Sequence, residues 1–305
     1  MKTLLRQVGY VCTFAFLAVK ADNGRLDKAA YSSFPLGGDV ALSFDYFRSL
    51  PDGSWTGNIG AFSSVNLAVC LPKDPYGMGA QLGGSYGVYD WEGRGSNSSG
   101  NSKAVQQQAF LTLGLFRRTP QSAGFNGGIV YDFMFNKEFG VFALNPTVEQ
   151  LRAQAGYLLT GGHELGLWAT VNTDIAHKKV SKVPVQFRAI PQVNLFWEHY
   201  FNNKAQAMFW VGMPYRRGLM NLSGTAGRFI FGTRFKTPLT HNFSITGHGA
   251  YMFSRHGSVI KESRNYAANI CFGLNYSFGG CGSSDRPYLS LADNSNFFVD
   301  TNFNQ

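Results

Sequence analysis

The stretch Tyr266-Ala267-Ala268-Asn269-Ile270-Cys271-Phe272-Gly273-Leu274-Asn275-Tyr276-Ser277-Phe278 alternates with a period of two. Tyr266, Ala268, Ile270, Phe272, Leu274, Tyr276 and Phe278 share one side, while Asn269, Asn275 and Ser277 take the other. Successive side chains of an extended chain point to opposite faces. The pattern therefore predicts a strand with one apolar and one polar face, which helical spacing cannot produce. Upstream it returns. Leu151, Ala153, Ala155, Tyr157 and Leu159 oppose Gln150, Arg152, Gln154 and Gly156; Phe187, Ala189, Val193, Leu195 and Trp197 oppose Gln186, Arg188, Gln192, Asn194 and Glu198.

Counting such segments predicts about twelve strands, at 39–48, 56–70, 77–91, 105–118, 124–136, 147–159, 163–175, 186–200, 204–213, 226–237, 242–254 and 265–278. Past the first hairpin their connections alternate between short turns and long polar loops, so one end of the sheet carries turns and the other carries loops. Outer-membrane barrels differ at their two ends in this way. A soluble β-sandwich also alternates, but its strands run about five or six residues, against about 11–14 here. Eleven residues at ~3.3 Å, tilted by some 40°, rise close to the ~25 Å apolar band of an outer-membrane barrel. Tyr157, Phe187, Trp197, Tyr251, Phe253, Tyr276 and Phe278 gather near strand ends on the apolar face, as an interfacial girdle does. The predicted fold class is all-β: a transmembrane antiparallel up-and-down β-barrel of about twelve strands over 39–278.

Composition agrees. Of 305 residues 44 % are hydrophobic and only 15 % charged, below the quarter or so of a soluble protein. Residues 1–21 read as an export signal: Lys2 and Arg6 precede the apolar run Val8–Val19, with cleavage expected after Ala21. Its removal takes three cations and no acid from a net charge of +9, leaving +6. Residues 22–38 read as an N-terminal periplasmic segment and 279–305 as a C-terminal tail. Without Cys12 the chain keeps Cys70, Cys271 and Cys281, too sparse for a disulfide scaffold and lacking zinc spacing. Cys70 and Cys281 are a candidate pair.

The last predicted strand, Cys271 to Phe278, resembles the final-strand signal of outer-membrane proteins, although this chain continues for 27 residues beyond it. The tail from Arg286 to Asn302 resembles the ending of an uncharacterised bacterial family of predicted outer-membrane barrels. Tyr76–Gly83, Gly114–Arg118, Val130–Asp132, Leu151–Tyr157, Glu164–Trp168 and Asn194–Trp197 are similar to the same family, so the resemblance spans roughly 39–305. It implies an outer-membrane location and a barrel, and carries no activity with it.

With the apolar face toward lipid, the polar face lines the lumen. It is expected to hold Asp132, Arg152, Glu164, Arg188, Glu198, Arg228, Arg234 and Lys236, with Asp45 and Lys204. Cations exceed acids, so an open lumen would favour anions. Gly114, Gly156, Gly166, Gly212 and Gly232 share this face, where a missing side chain leaves room for water or permits a bend. In the opposing reading the charges pair and Phe110, Phe116, Trp168, Phe196 and Trp210 fill the barrel. The tail either enters the lumen as a plug or lies against the short-turn rim.

Two function classes follow: a porin-like channel for small solutes, anions preferred, or a closed structural or surface-interaction barrel. A hydrolase is the weaker third. His248 and Ser244 share the polar face, so a lipid-facing Ser/His pair is absent by parity, and Asp174, His177, His256 and Glu262 are scattered near loops. No catalytic residue, cofactor or metal is expected. The expected partners are outer-membrane lipid, the barrel-assembly machinery during insertion, and small solutes. The cations are spread over many strands, with a short run at Lys178-Lys179, so nucleic acid is not expected.

Overall fold

The computed structural model describes residues 36–53, 57–71, 76–91, 104–119, 123–219, 224–254, 266–279 and 297–302. The export signal and most of the tail lie outside these residues. Twelve strands close into a barrel: β1 (Leu36–Arg48), β2 (Asn58–Cys70), β3 (Met78–Tyr89), β4 (Gln106–Arg117), β5 (Gly124–Lys137), β6 (Thr147–Leu159), β7 (His163–Asn172), β10 (Gln192–Tyr200), β11 (Gln206–Pro214), β12 (Ile230–Pro238), β13 (Phe243–Met252) and β14 (Ala267–Gly279). All neighbours are antiparallel, and β1 closes on β14 from Gly37↔Gly279 to Arg48↔Ala268.

The period of two is realised as an inside and an outside. On β1, Asp39, Ser43, Asp45 and Phe47 are buried inward, while Leu42 (67 % exposed) and Phe44 (70 %) stand outward. Ile270, Phe272 and Leu274 do the same on β14, and Leu165, Leu167 and Leu195 on β7 and β10. An apolar surface continuous around the molecule far exceeds the few hundred Å² that a water-soluble protein leaves exposed. This belt is the face a bilayer solvates, and ring closure leaves the spanning segment no strand edge.

One predicted strand does not exist as a unit. Segment 186–200 breaks at Ile190-Pro191. Pro191 has no N–H to give a ladder, and β10 begins pairing with β7 only at Gln192↔Thr170. The preceding residues instead form a hairpin of β8 (Ala176–Val180) and β9 (Val183–Ala189). Its two-residue turn, Ser181-Lys182, has positive φ at both positions (46° and 78°), the primed geometry that suits twisted hairpins. Phe187 and Ala189, expected on the lipid face, are 3 % and 0 % exposed inside. A third strand, β15 (Val299–Thr301), joins β9 from Val299↔Ala189 to Thr301↔Phe187.

This small sheet sits at the loop end, the end opposite Gly279. Phe297 and Val299 enter a cluster with Phe47, Tyr89, Phe110, Phe139 and Phe187. Phe298 points the other way, into Ile190, Ala226, Ile230, Met252 and Ala267. The first hairpin closes over a short 3₁₀ turn, η1 (Leu50–Asp52), in which the Asp52 carboxylate accepts the Ser49 N–H at 2.7 Å. Cys70 is disulfide-bonded; its expected partner, Cys281, lies outside the described residues.

Candidate functional site

The inward residues of the barrel wall build the site, and their pairing follows from register. Val130 of β5 lies opposite Arg152 of β6, and Asp132, two residues along β5 on the same face, is the diagonal neighbour of Arg152. Arg152 Nε and Nη2 donate to the two Asp132 oxygens at 2.9 and 3.0 Å. Gln150 Nε2 and Thr112 Oγ1 donate to the same carboxylate at 2.9 and 2.8 Å. Asp132 is wholly buried, and this bidentate ion pair with two further donors is what allows a charge there.

Nearer the short-turn end, Glu164 and Glu198 face each other directly across β7 and β10, which alone would be repulsive. Four side chains resolve it. Asn126 Nδ2 donates to Glu164 Oε2 at 2.6 Å. The Tyr200 hydroxyl donates to Glu198 Oε2 at 2.8 Å and lies 3.2 Å from Glu164 Oε2. Arg118 sits over the Tyr200 ring, 5.1 Å from its centroid, with both carboxylates near it. Arg234 Nη2 is 3.7 Å from Glu198 Oε1.

Between these layers and the loop-end clusters lies a cavity of about 210 Å³. Arg118, Arg152, Arg234 and Lys236 line it against Asp39 and Glu198, with Trp168, Trp210 and His248 as its aromatic wall and Phe297 and Phe298 on its border. Glu164 and Asp132 lie buried in the wall beside it.

Three expected lumen cations lie elsewhere. Arg188 is on β9, outside the barrel wall, where its Nη2 and Nε donate to Asp300 Oδ2 at 2.9 and 3.3 Å; its Nη2 also reaches the Arg217 carbonyl. Arg228 precedes β12 and is exposed, because that strand starts at Ile230 and not at 226. Lys204 is exposed in the β10–β11 turn at φ 66°. His256 and Glu262 lie outside the described residues.

The lumen glycines do not leave open water space either. Trp210 lies opposite Gly232, Phe196 opposite Gly166 and Val130 opposite Gly114. In each case a methyl on the glycine would overlap that partner's side chain. Each glycine is the bed for a large inward neighbour.

Arg118 and Tyr200 are not among the expected lumen residues. Arg118 shares the parity of Phe110, Thr112 and Phe116, a signal that would have placed it inward. Asp300, 112 residues from Arg188, gave no local signal.

The family model that matches covers residues 37–299. The chain belongs to the family of unknown function DUF6666. No curated protein matches. Among solved structures, the COG4313 outer membrane channel from Pseudomonas putida F1 is similar at 11 % identity over 83 % of this chain and 100 % of its own, with a TM-score of 0.48. Outer membrane phospholipase A from Escherichia coli is similar at 10 % identity over 81 % and 98 %, TM-score 0.45. An anion-selective porin from Comamonas acidovorans is similar at 10 % over 81 % and 99 %, TM-score 0.35. These are likenesses to outer-membrane barrels of several kinds.

Proposed function

We propose that this DUF6666 protein is a bacterial outer-membrane channel for small anionic solutes, held shut at its loop end by its own C-terminal strand. The observation that carries the reading is the cavity: Arg118, Arg234 and Lys236, with Arg152 already held by Asp132, face Asp39 and Glu198, bordered by Phe297 and Phe298. Fixed charge at a constriction sets the sign of the permeant ion. The closure is a segment of the chain, bound through three strand residues on β9 and two apolar clusters, so it can be withdrawn without opening the wall. The proposed partners are outer-membrane lipid around the belt, the assembly machinery during insertion, and the solutes.

The second reading is a permanently closed structural barrel. Phe110, Phe116 and Phe196, each nearly inaccessible inside the barrel, favour it. Planar-bilayer recordings separate the two. The full chain is expected to be mostly silent. The full-length variant Phe297→Asp/Val299→Asp, whose charges the apolar cluster cannot hold, is expected to conduct with an anion-selective reversal potential. A silent but folded variant overturns the channel, and cation selectivity overturns the assignment of sign.

A further inference from the structure

We propose that the lumen cavity is a binding site for a small aromatic carboxylate. The inference rests on reading the lumen as a solute path and names the class of solute. Its apolar half is a built platform. Trp210 lies across Gly232, where any larger residue would displace it. The indole stacks on His248, with centroids 5.7 Å apart and planes at 25°, and meets Trp168 edge-on at 6.1 Å. Stacked and edge-on rings of this kind accept one further planar ring in either geometry.

Its polar half is a set of donors. Arg234 is opposite His248 in the β12–β13 ladder, one step from the platform. Its guanidinium has weak protein contacts: Glu198 Oε1 at 3.7 Å and the Met208 sulfur at 3.5 Å. Three other cavity-lining side chains carry buried donors without a hydrogen-bond partner: Arg118 through Nε and Nη2, Gln154 through Nε2 and Trp210 through Nε1. Two lining amide oxygens, on Gln150 and Asn269, are the acceptors in the same condition. Donors thus exceed acceptors, and two of them belong to a guanidinium. An unsatisfied buried donor costs about 1–3 kcal/mol; a carboxylate, with two acceptor oxygens and a charge opposite to that of Arg234, offsets more of that cost than the single carbonyl of a neutral amide. A cavity of about 210 Å³ holds roughly seven waters at ~30 Å³ each, which suits one substituted ring.

Equilibrium dialysis of the detergent-purified full chain against labelled benzoate tests this, with benzamide as the neutral isostere and acetate as the ringless anion. Benzoate is expected to bind saturably, one per chain, with benzamide and acetate each at least tenfold weaker. Arg234→Gln is expected to weaken benzoate about tenfold while the barrel stays heat-modifiable on gels. Trp210→Phe, which keeps a ring and removes the N–H, is expected to weaken it several-fold. Benzamide binding as well as benzoate overturns the charge assignment. Acetate binding as well as benzoate overturns the ring assignment. Absence of saturable benzoate binding overturns the site. The measurement is made on the closed chain, so a barrel that never conducts leaves it standing, and a conducting one does not rescue it.

Discussion

Replacing Arg188 with alanine should release the loop-end closure. Asp300 is almost wholly buried, and Arg188 meets it with side-chain exposures of 10 % and 2 % for the two partners. Removing one member of a buried pair costs about 3–5 kcal/mol, because the other is left charged and unpaired. Asp300 keeps the Leu219 N–H, which donates to Oδ2 at 2.8 Å, so the low end applies, about 3 kcal/mol, or roughly 150-fold in an equilibrium. That cost falls on the docked form alone, since a withdrawn β15 leaves Asp300 in water. Single-channel open probability of Arg188→Ala should therefore rise about two orders of magnitude over the native chain. A structural readout runs in parallel: the Ile190 N–H, which donates to the Phe298 carbonyl at 2.8 Å, should exchange faster by a similar factor. The double variant Arg188→Gln/Asp300→Asn has no unpaired charge and should open less than Arg188→Ala. Unchanged Ile190 exchange in Arg188→Ala refutes the reasoning at its first step; faster exchange with unchanged conductance refutes the link from strand to gate.

Acidification should act in the opposite sense. Burial raises the Asp300 carboxyl above its ordinary value of 3.8, outweighing the Leu219 N–H and Arg188, which pull it down. Docked Asp300 therefore binds a proton more readily than released Asp300, so closure strengthens as pH falls through the raised value toward 3.8. Open probability should drop over that window, and Asp300→Asn should flatten the dependence. Gly232→Val should overlap the Trp210 indole and cost about 1–3 kcal/mol as an overpacked core site, read as a lower heat-modifiability temperature and red-shifted tryptophan emission. Asp132→Ala should cost about 3–5 kcal/mol in urea unfolding, since it removes the buried carboxylate that Arg152, Gln150 and Thr112 share; no loss would mean that the buried pair is not needed to hold β5 to β6.

The wall was legible in the sequence because a barrel strand is selected on a single variable, parity. Leu42 and Phe44 outside, with Ser43 and Asp45 inside, can be read without knowing any neighbour. Register could not be. Glu164 and Glu198 are both inward by parity, but their direct opposition, and so the need for Arg118, Asn126 and Tyr200 around them, follows only from how β10 slides along β7. The same holds for glycine: Gly166 and Gly232 look like gaps until Phe196 and Trp210 are seen opposite them. The hairpin at 176–189 was hidden for another reason. Its β9 half alternates as the wall does, and Pro191 alone marks the break.

Closure of this barrel is divided between two kinds of chemistry, and the division bears on function. In the wall, charge is neutralised by partners on adjacent strands, such as Arg152 on Asp132, which pins register and cannot move without unzipping the sheet. At the loop end, the seal is apolar side chains and the Arg188–Asp300 ion pair, carried on a short segment that is laddered to β9, itself outside the barrel. A protein needing only a sealed cylinder could fill its centre from the wall, as Phe116 and Phe196 do at their own levels. Here the centre keeps a cavity with surplus donors, and the seal is placed on a strand outside the closed ring, whose departure leaves all twelve wall strands paired. The proposed channel accounts for both facts at once, whereas a structural barrel needs a separate reason for each.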